Sequence, residues 1–265
     1  MEAFRNSAYN PQTHEIPRLY ELLLESSKVD SVNRMGEMKG WPLQKKSHCG
    51  VKCTPKQHPR ICPYRPEKKF WFRYDMIATV EYAKTFWFMS RLNLEDKMML
   101  LKNVVLNCQN LNQAFYSMEK KSELFYHPDG TCVHKLPNVE EFPISQAIIR
   151  NQKIMISSLV QYEVDRQDYV LLKAICLCNA AVPGLSVAAQ KLLAQEKDKY
   201  TLALFKHCMT TRGLAHGPAH YSAILGFVEI LENTQKNHKQ LHLLIDLANK
   251  NIHKGHTIFN DILES

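Results

Sequence analysis

An all-α fold is what this sequence predicts, and three observations carry the prediction. Apolar side chains recur at helical spacing, as at Phe70, Tyr74, Ile77, Ala78, Phe88 and Leu92. Helix-starting residues stand where such runs begin: Asn93 with Asp96 three positions on, a variant capping box, and Asp165 with Asp168 in its first turn. Convincing β chemistry occurs once, between Ser122 and Val133, where Pro128-Asp129-Gly130 separates apolar runs and signals a hairpin. At 265 residues, 45% of them hydrophobic, the chain is long enough for one large domain.

The elements follow in order. Pro17 to Ser27 reads as a short amphipathic helix, the first of the fold. Residues 31–66 have little periodicity and carry Pro42, Pro55, Pro59, Pro63 and Pro66, so they read as a long connecting loop. Between Ser31 and Lys69 ten Lys or Arg stand against Glu37 and Glu67, a surplus of eight that equals the whole net charge of +8. A neutral body with one basic loop does not look like a DNA-binding surface. The loop suits an acidic partner or an import signal. It also holds His48, Cys49, Cys53, His58 and Cys62, residue types that can bind zinc. Their Cys-x₃-Cys lead is looser than a usual knuckle and no Cys-x₂-Cys occurs, so a merely polar loop is preferred to a metal site.

One helix is then predicted to end near Leu92, and after a tight joint the next runs from Leu94 to about Met118. Met98 to Leu101 and Val104 to Leu106 are apolar on several sides, which predicts burial. This helix also carries Asn103, Asn107, Gln109, Asn110, Asn112 and Gln113. Buried amides need partners, so they either face a polar cavity or bond neighbouring helices. Pro143 to Tyr162 is the next helix, and Asp165 starts another that Pro183-Gly184 is expected to stop. Val187 to Thr211 continues the pattern, Gly213 to Pro218 breaks it, and His220 to about Asn251 forms a long helix with more than one apolar side. His216/His220 and His238/His242 share helix faces four apart; with no third ligand near in sequence, they read as solvated or core histidines. Thr257 to Ser265 forms a short amphipathic tail.

Several classes of function recede. No apolar run approaches the roughly 18 residues of a membrane span, and Met1 to Gln12 lacks the apolar core of a signal peptide. Cys108, Cys176, Cys178 and Cys208 fall inside helical patterns, as thiols of a reducing compartment do. No nucleophile–base pair, phosphate loop or paired carboxylates stand at working spacing, so no enzymatic activity is expected.

Tyr82-Ala83-Lys84, Phe88, Leu92, Asp96 and Leu100-Leu101-Lys102 resemble the signature of nuclear hormone receptor ligand-binding domains. Lys97 stands where that family usually has Gln, and Asn107 where it often has Glu. Asp165 to Ser186 resembles the family's eighth helix and the link after it, and Thr257 to Leu263 its terminal activation helix, with Asp261 where Glu is commoner. The resemblance implies a three-layer antiparallel helical sandwich of about 10–12 helices with one small hairpin. Residues 1–265 would form one such domain, with 31–66 its long basic loop and 256–265 its activation helix. The paired-cysteine zinc module through which the family binds DNA is absent from this sequence.

The same resemblance implies a groove between the helix before Lys84 and the helix after Asn93. Val80, Leu94, Met98 and Leu101 would line a trough for a coactivator or corepressor helix carrying Leu-x-x-Leu-Leu. Ile258, Asp261 and Ile262 of the terminal helix would close one end. Asp261 suits the free amides of the docked helix, and Lys84 and Lys102 its free carbonyls. A ligand pocket is implied by Trp71, Phe72, Met76, Thr79, Gln109, Gln113 and Tyr116. Two large aromatics there, and Tyr116 where acid-binding relatives place Arg, point to a neutral apolar ligand or to none. No other cofactor is expected. Two functions stay open: a nuclear, ligand-responsive domain recruiting coregulator helices, and a pocket-filled interaction protein that dimerises with other receptors. The helix around 220–250 would carry the dimer contact.

Overall fold

The computed structural model describes residues 19–24, 71–126, 143–248 and 258–263. They form α1 (Leu19–Leu24), α2 (Trp71–Lys84), a 3₁₀ turn (Trp87–Arg91), α3 (Leu94–Glu119), α4 (Pro143–Gln161), α5 (Arg166–Leu177), α6 (Val187–Ala248) and α7 (Ile258–Leu263). Among the described residues there is no sheet; Tyr126 alone makes a β bridge. The rest of the expected hairpin, the basic loop and its Cys/His group lie outside the described residues. The fold is all-α.

α3 is the central element and touches every other helix. Leu100, Leu101, Val104, Val105, Leu106, Cys108, Leu111 and Ala114 are all sealed from solvent, so side chains on every side of the helix find neighbours, as a run without a polar face requires. Asn93 caps α3 by accepting the Asp96 amide at 2.7 Å. The expected capping box is only half closed. The Asp96 carboxylate turns instead to the α5–α6 link, accepting the Ser186 amide at 2.8 Å and the Ser186 hydroxyl at 2.7 Å. One acid thus starts α3 while tying it to a loop ninety residues away.

Two predicted helix ends move. α2 stops at Lys84 rather than near Leu92, because Thr85, Phe86 and Met89 donate their amides to carbonyls three residues back. Phe86 then packs edge-on against both Tyr82 and Tyr200, an aromatic cluster that a continued helix would pull apart. α5 stops at Leu177, ahead of Pro183-Gly184. Gly184, at φ +83°, instead lets the link press against Met99, whose Cε lies 2.6 Å from where a Cβ would be.

α5 has a full capping box between Asp165 and Asp168. Asp168 also meets His220 Nε2 at 2.9 Å, while Asp165 meets His207 Nε2 at 2.9 Å. His220 is therefore a core histidine tied to a carboxylate. The predicted break is present in α6: Gly213, at the non-helical φ 72°, ψ 174°, divides it into two helical segments, the second of which starts before Pro218. The two segments fold back together, with Phe205 and Tyr221 packed edge-to-face at 5.4 Å. Gly217 keeps them close, since a Cβ there would fall 2.4 Å from Met209 Cε. Cys108, Cys176, Cys178 and Cys208 are buried free thiols. No described helix is long and apolar enough to cross a membrane.

Of the two roles expected for the α3 amides, bonding neighbouring helices is met by two of them. Asn112 accepts the Tyr169 hydroxyl at 2.7 Å, Gln113 donates to Asp75 at 2.8 Å, and Asn103 bonds its own helix at Met99. Among the described residues, neither side-chain polar atom of Asn110 has a hydrogen-bond partner.

Candidate functional site

α2, near its end at Lys84, α3 and α7 all meet one short helix. That helix is α1, which packs against all three. It covers the face on which the resemblance implies a groove. The reason is in its side chains: Leu19, Leu22 and Leu23 sit at i, i+3 and i+4, on one face of a helix. Leu19 is fully buried, Leu22 is 5% exposed and Leu23 packs half-buried on the core, while Tyr20 and Leu24 are 45% and 62% exposed. Burying side chains of this size contributes about 1.5–3 kcal/mol each.

The two ends of α1 meet opposite charges. The Leu19 amide donates to Asp261 Oδ2 at 2.8 Å, and Lys84 Nζ donates to the Leu22 carbonyl at 2.7 Å. These are backbone groups that a helix cannot satisfy within itself, and each meets the sign that its end of the helix dipole favours. Both charged side chains are almost wholly out of water, Lys84 at 8% and Asp261 at 8% exposure. Lys84 is held by Glu81, whose carboxylate lies 2.9 Å away at 2% exposure. A six-residue helix is too short to persist alone. α1 is a helix because this bracket holds it.

Of the residues implied to line the groove, Val80 and Leu101 are sealed and Leu94 and Met98 half-buried. Ile258 and Ile262 are fully buried, fixing α7 while Asp261 between them reaches α1. Lys102 stands near Lys239, whose pKa is lowered first by burial and then by the Lys102 charge.

The residues implied to form a ligand pocket lie on α2 and α3. Met76, Thr79 and Gln109 are sealed, and Gln113 is 7% exposed and bonded to Asp75. Tyr116 is only half-buried, with Lys120 Nζ 5.6 Å above its ring. The side chains of Trp71 and Phe72 lie outside the described residues. Burial lifts the Asp75 carboxyl to about 7, with Gln113 and then Lys173 opposing the rise. Lys173 in turn sits 3.8 Å from the centre of the Tyr82 ring, and burial holds its pKa below the usual lysine range. This polar seam lies inside a wall of apolar side chains.

Glu81 and the α1 leucines were missed in sequence. Leu19-Tyr20-Glu21-Leu22-Leu23 spells the same Leu-x-x-Leu-Leu pattern expected of a partner, but only the structure brings it to its own groove.

Comparison with known proteins accounts for this architecture. Residues 67–248 match the family described as the ligand-binding domain of nuclear hormone receptor. The chain is 35% identical over 249 residues to nuclear hormone receptor family member nhr-60 of Caenorhabditis elegans, covering 92% of this chain and 54% of that protein. It is 32% identical over 257 residues to family member nhr-154 (96% and 52%), and 37% identical over 182 residues to nhr-153 (67% and 43%), both of the same organism. The chain thus spans about half the length of the curated relatives it matches. It belongs to the nuclear hormone receptors, as a ligand-binding domain of the nematode group.

Proposed function

We propose that this domain regulates transcription in the nucleus by holding coregulator helices of the Leu-x-x-Leu-Leu type between Lys84 and Asp261. The observation supporting this is the seating of α1, a helix of that pattern bracketed by the two charges at its two ends. A coregulator helix would bury its three leucines against Val80, Met98 and Leu101 in the same way. Hydrogen bonds to charged groups contribute about 1.5–3 kcal/mol, so removing either charge should weaken binding about tenfold or more. Titration of a labelled Leu-x-x-Leu-Leu peptide by fluorescence anisotropy tests this in a chain carrying Leu19→Ala/Leu22→Ala/Leu23→Ala, in which α1 no longer shares the two charges, alone and with Lys84→Ala or Asp261→Lys added. Equal affinity for all three would refute the clamp.

A second role is dimerisation through the far end of α6, where Leu243, Leu244 and Leu247 are 58%, 41% and 64% exposed. Leucines so placed on one stretch of helix suit a partner helix of a second receptor. A neutral apolar ligand between α2 and α3 completes the leading reading. A chain that instead acts by pairing with and modulating other receptors would yield a stable heterodimer and no extractable lipid.

A further inference from the structure

We propose that α1 is a resident competitor for the groove: the domain blocks its own coregulator site in cis, and a coregulator helix binds only by displacing Leu19–Leu24. This rests on the groove reading above and adds to it the identity of the occupant. Three observations converge. The segment carries the partner's own pattern, with Leu19, Leu22 and Leu23 inward and Tyr20 and Leu24 outward. Its first amide takes Asp261 and its Leu22 carbonyl takes Lys84, the two bonds a foreign helix would need. Its packing partners are α2, α3 and α7, the three walls of the slot. One groove cannot hold two helices.

The covalent tether makes the competition intramolecular, so α1 acts at a concentration fixed by the intervening chain rather than by supply. A segment seated nine-tenths of the time weakens any competitor about tenfold. The state that recruits a coregulator is then one in which residues 19–24 have left the groove.

The full chain provides the test. A labelled Leu-x-x-Leu-Leu peptide and a labelled peptide copying residues 15–28 are titrated into the wild type and into Leu19→Ala/Leu22→Ala/Leu23→Ala. The triple variant is expected to bind both about tenfold tighter than the wild type, and Lys84→Ala added to it should remove the gain. Equal affinity for wild type and triple variant, with Lys84→Ala still abolishing binding, would leave the groove reading intact and overturn the resident competitor. If neither peptide binds the triple variant, the groove reading itself fails, and this inference with it. Affinity of the wild type that rises on dilution of the protein would mean that a second copy lends the helix, and overturns seating in cis. Should the triple variant not melt cooperatively, Leu23→Glu replaces it: that side chain is only half-buried, and a charge there ejects the helix while leaving Leu19 and Leu22 unaltered.

Discussion

Asp75 is where a single proton should be felt. Its carboxyl titrates near 7 in the folded protein because burial disfavours the charged form, against about 4 in an unfolded chain. The folded state therefore binds the proton more tightly, and its stabilising effect is complete below about pH 4 and lost as pH rises through 7. Asp75→Asn retains an acceptor for Gln113 and cannot ionise. The wild type should lose stability in urea between pH 5 and 8 relative to this variant, whose profile should be flatter across that window; parallel profiles would remove Asp75 as the cause. Asn93 and Asp165 could be recognised as caps from sequence alone, since capping chemistry is local. Glu81 could not, because an acid three residues before a lysine is ordinary on a solvated helix. Here its lysine partner also reaches α1 from sixty residues away, through the Lys84–Leu22 bond.

The helices illustrate the same divide between local and distant causes. Periodicity placed α3, α4 and the start of α5 closely, helped at α3 and α5 by the caps Asn93 and Asp165. It overran the ends of α2 and α5; in α2 aromatic packing of Phe86 on Tyr82 and Tyr200 accompanies the stop. It also saw in α1 only an amphipathic helix, since the meaning of its leucines depends on what they face. In α6 the joint rests on one residue. Gly213 adopts φ 72°, ψ 174°, a region essentially reserved for glycine, with no atom within 4 Å of its would-be Cβ. Gly213→Ala should therefore destabilise the fold by backbone strain alone, about 1–3 kcal/mol, read as a lower midpoint in denaturant with unchanged m. No change would mean that the elbow straightens at little cost.

At the scale of the molecule, the sandwich and the family were legible because order and spacing of motifs survive divergence, whereas the occupied groove was not. The exposed end of α6 carries the remaining expectation. Leu243→Glu/Leu247→Glu places two charges on the exposed leucine stretch and should shift sedimentation from dimer to monomer while leaving the melting temperature within a few degrees. A protein that sediments as a monomer before the change would place the contact elsewhere.

Asp261 belongs to α7 yet hydrogen-bonds α1, and that has a consequence for signalling. A hormone that steadied the terminal helix would firm the dock for the tethered guest and for any visitor alike, and a factor that favours both contestants equally leaves the contest undecided. Discrimination would have to come from contacts that the two helices do not share. Under the competition proposed above, the balance would be tipped by whatever α1 touches that a foreign helix does not.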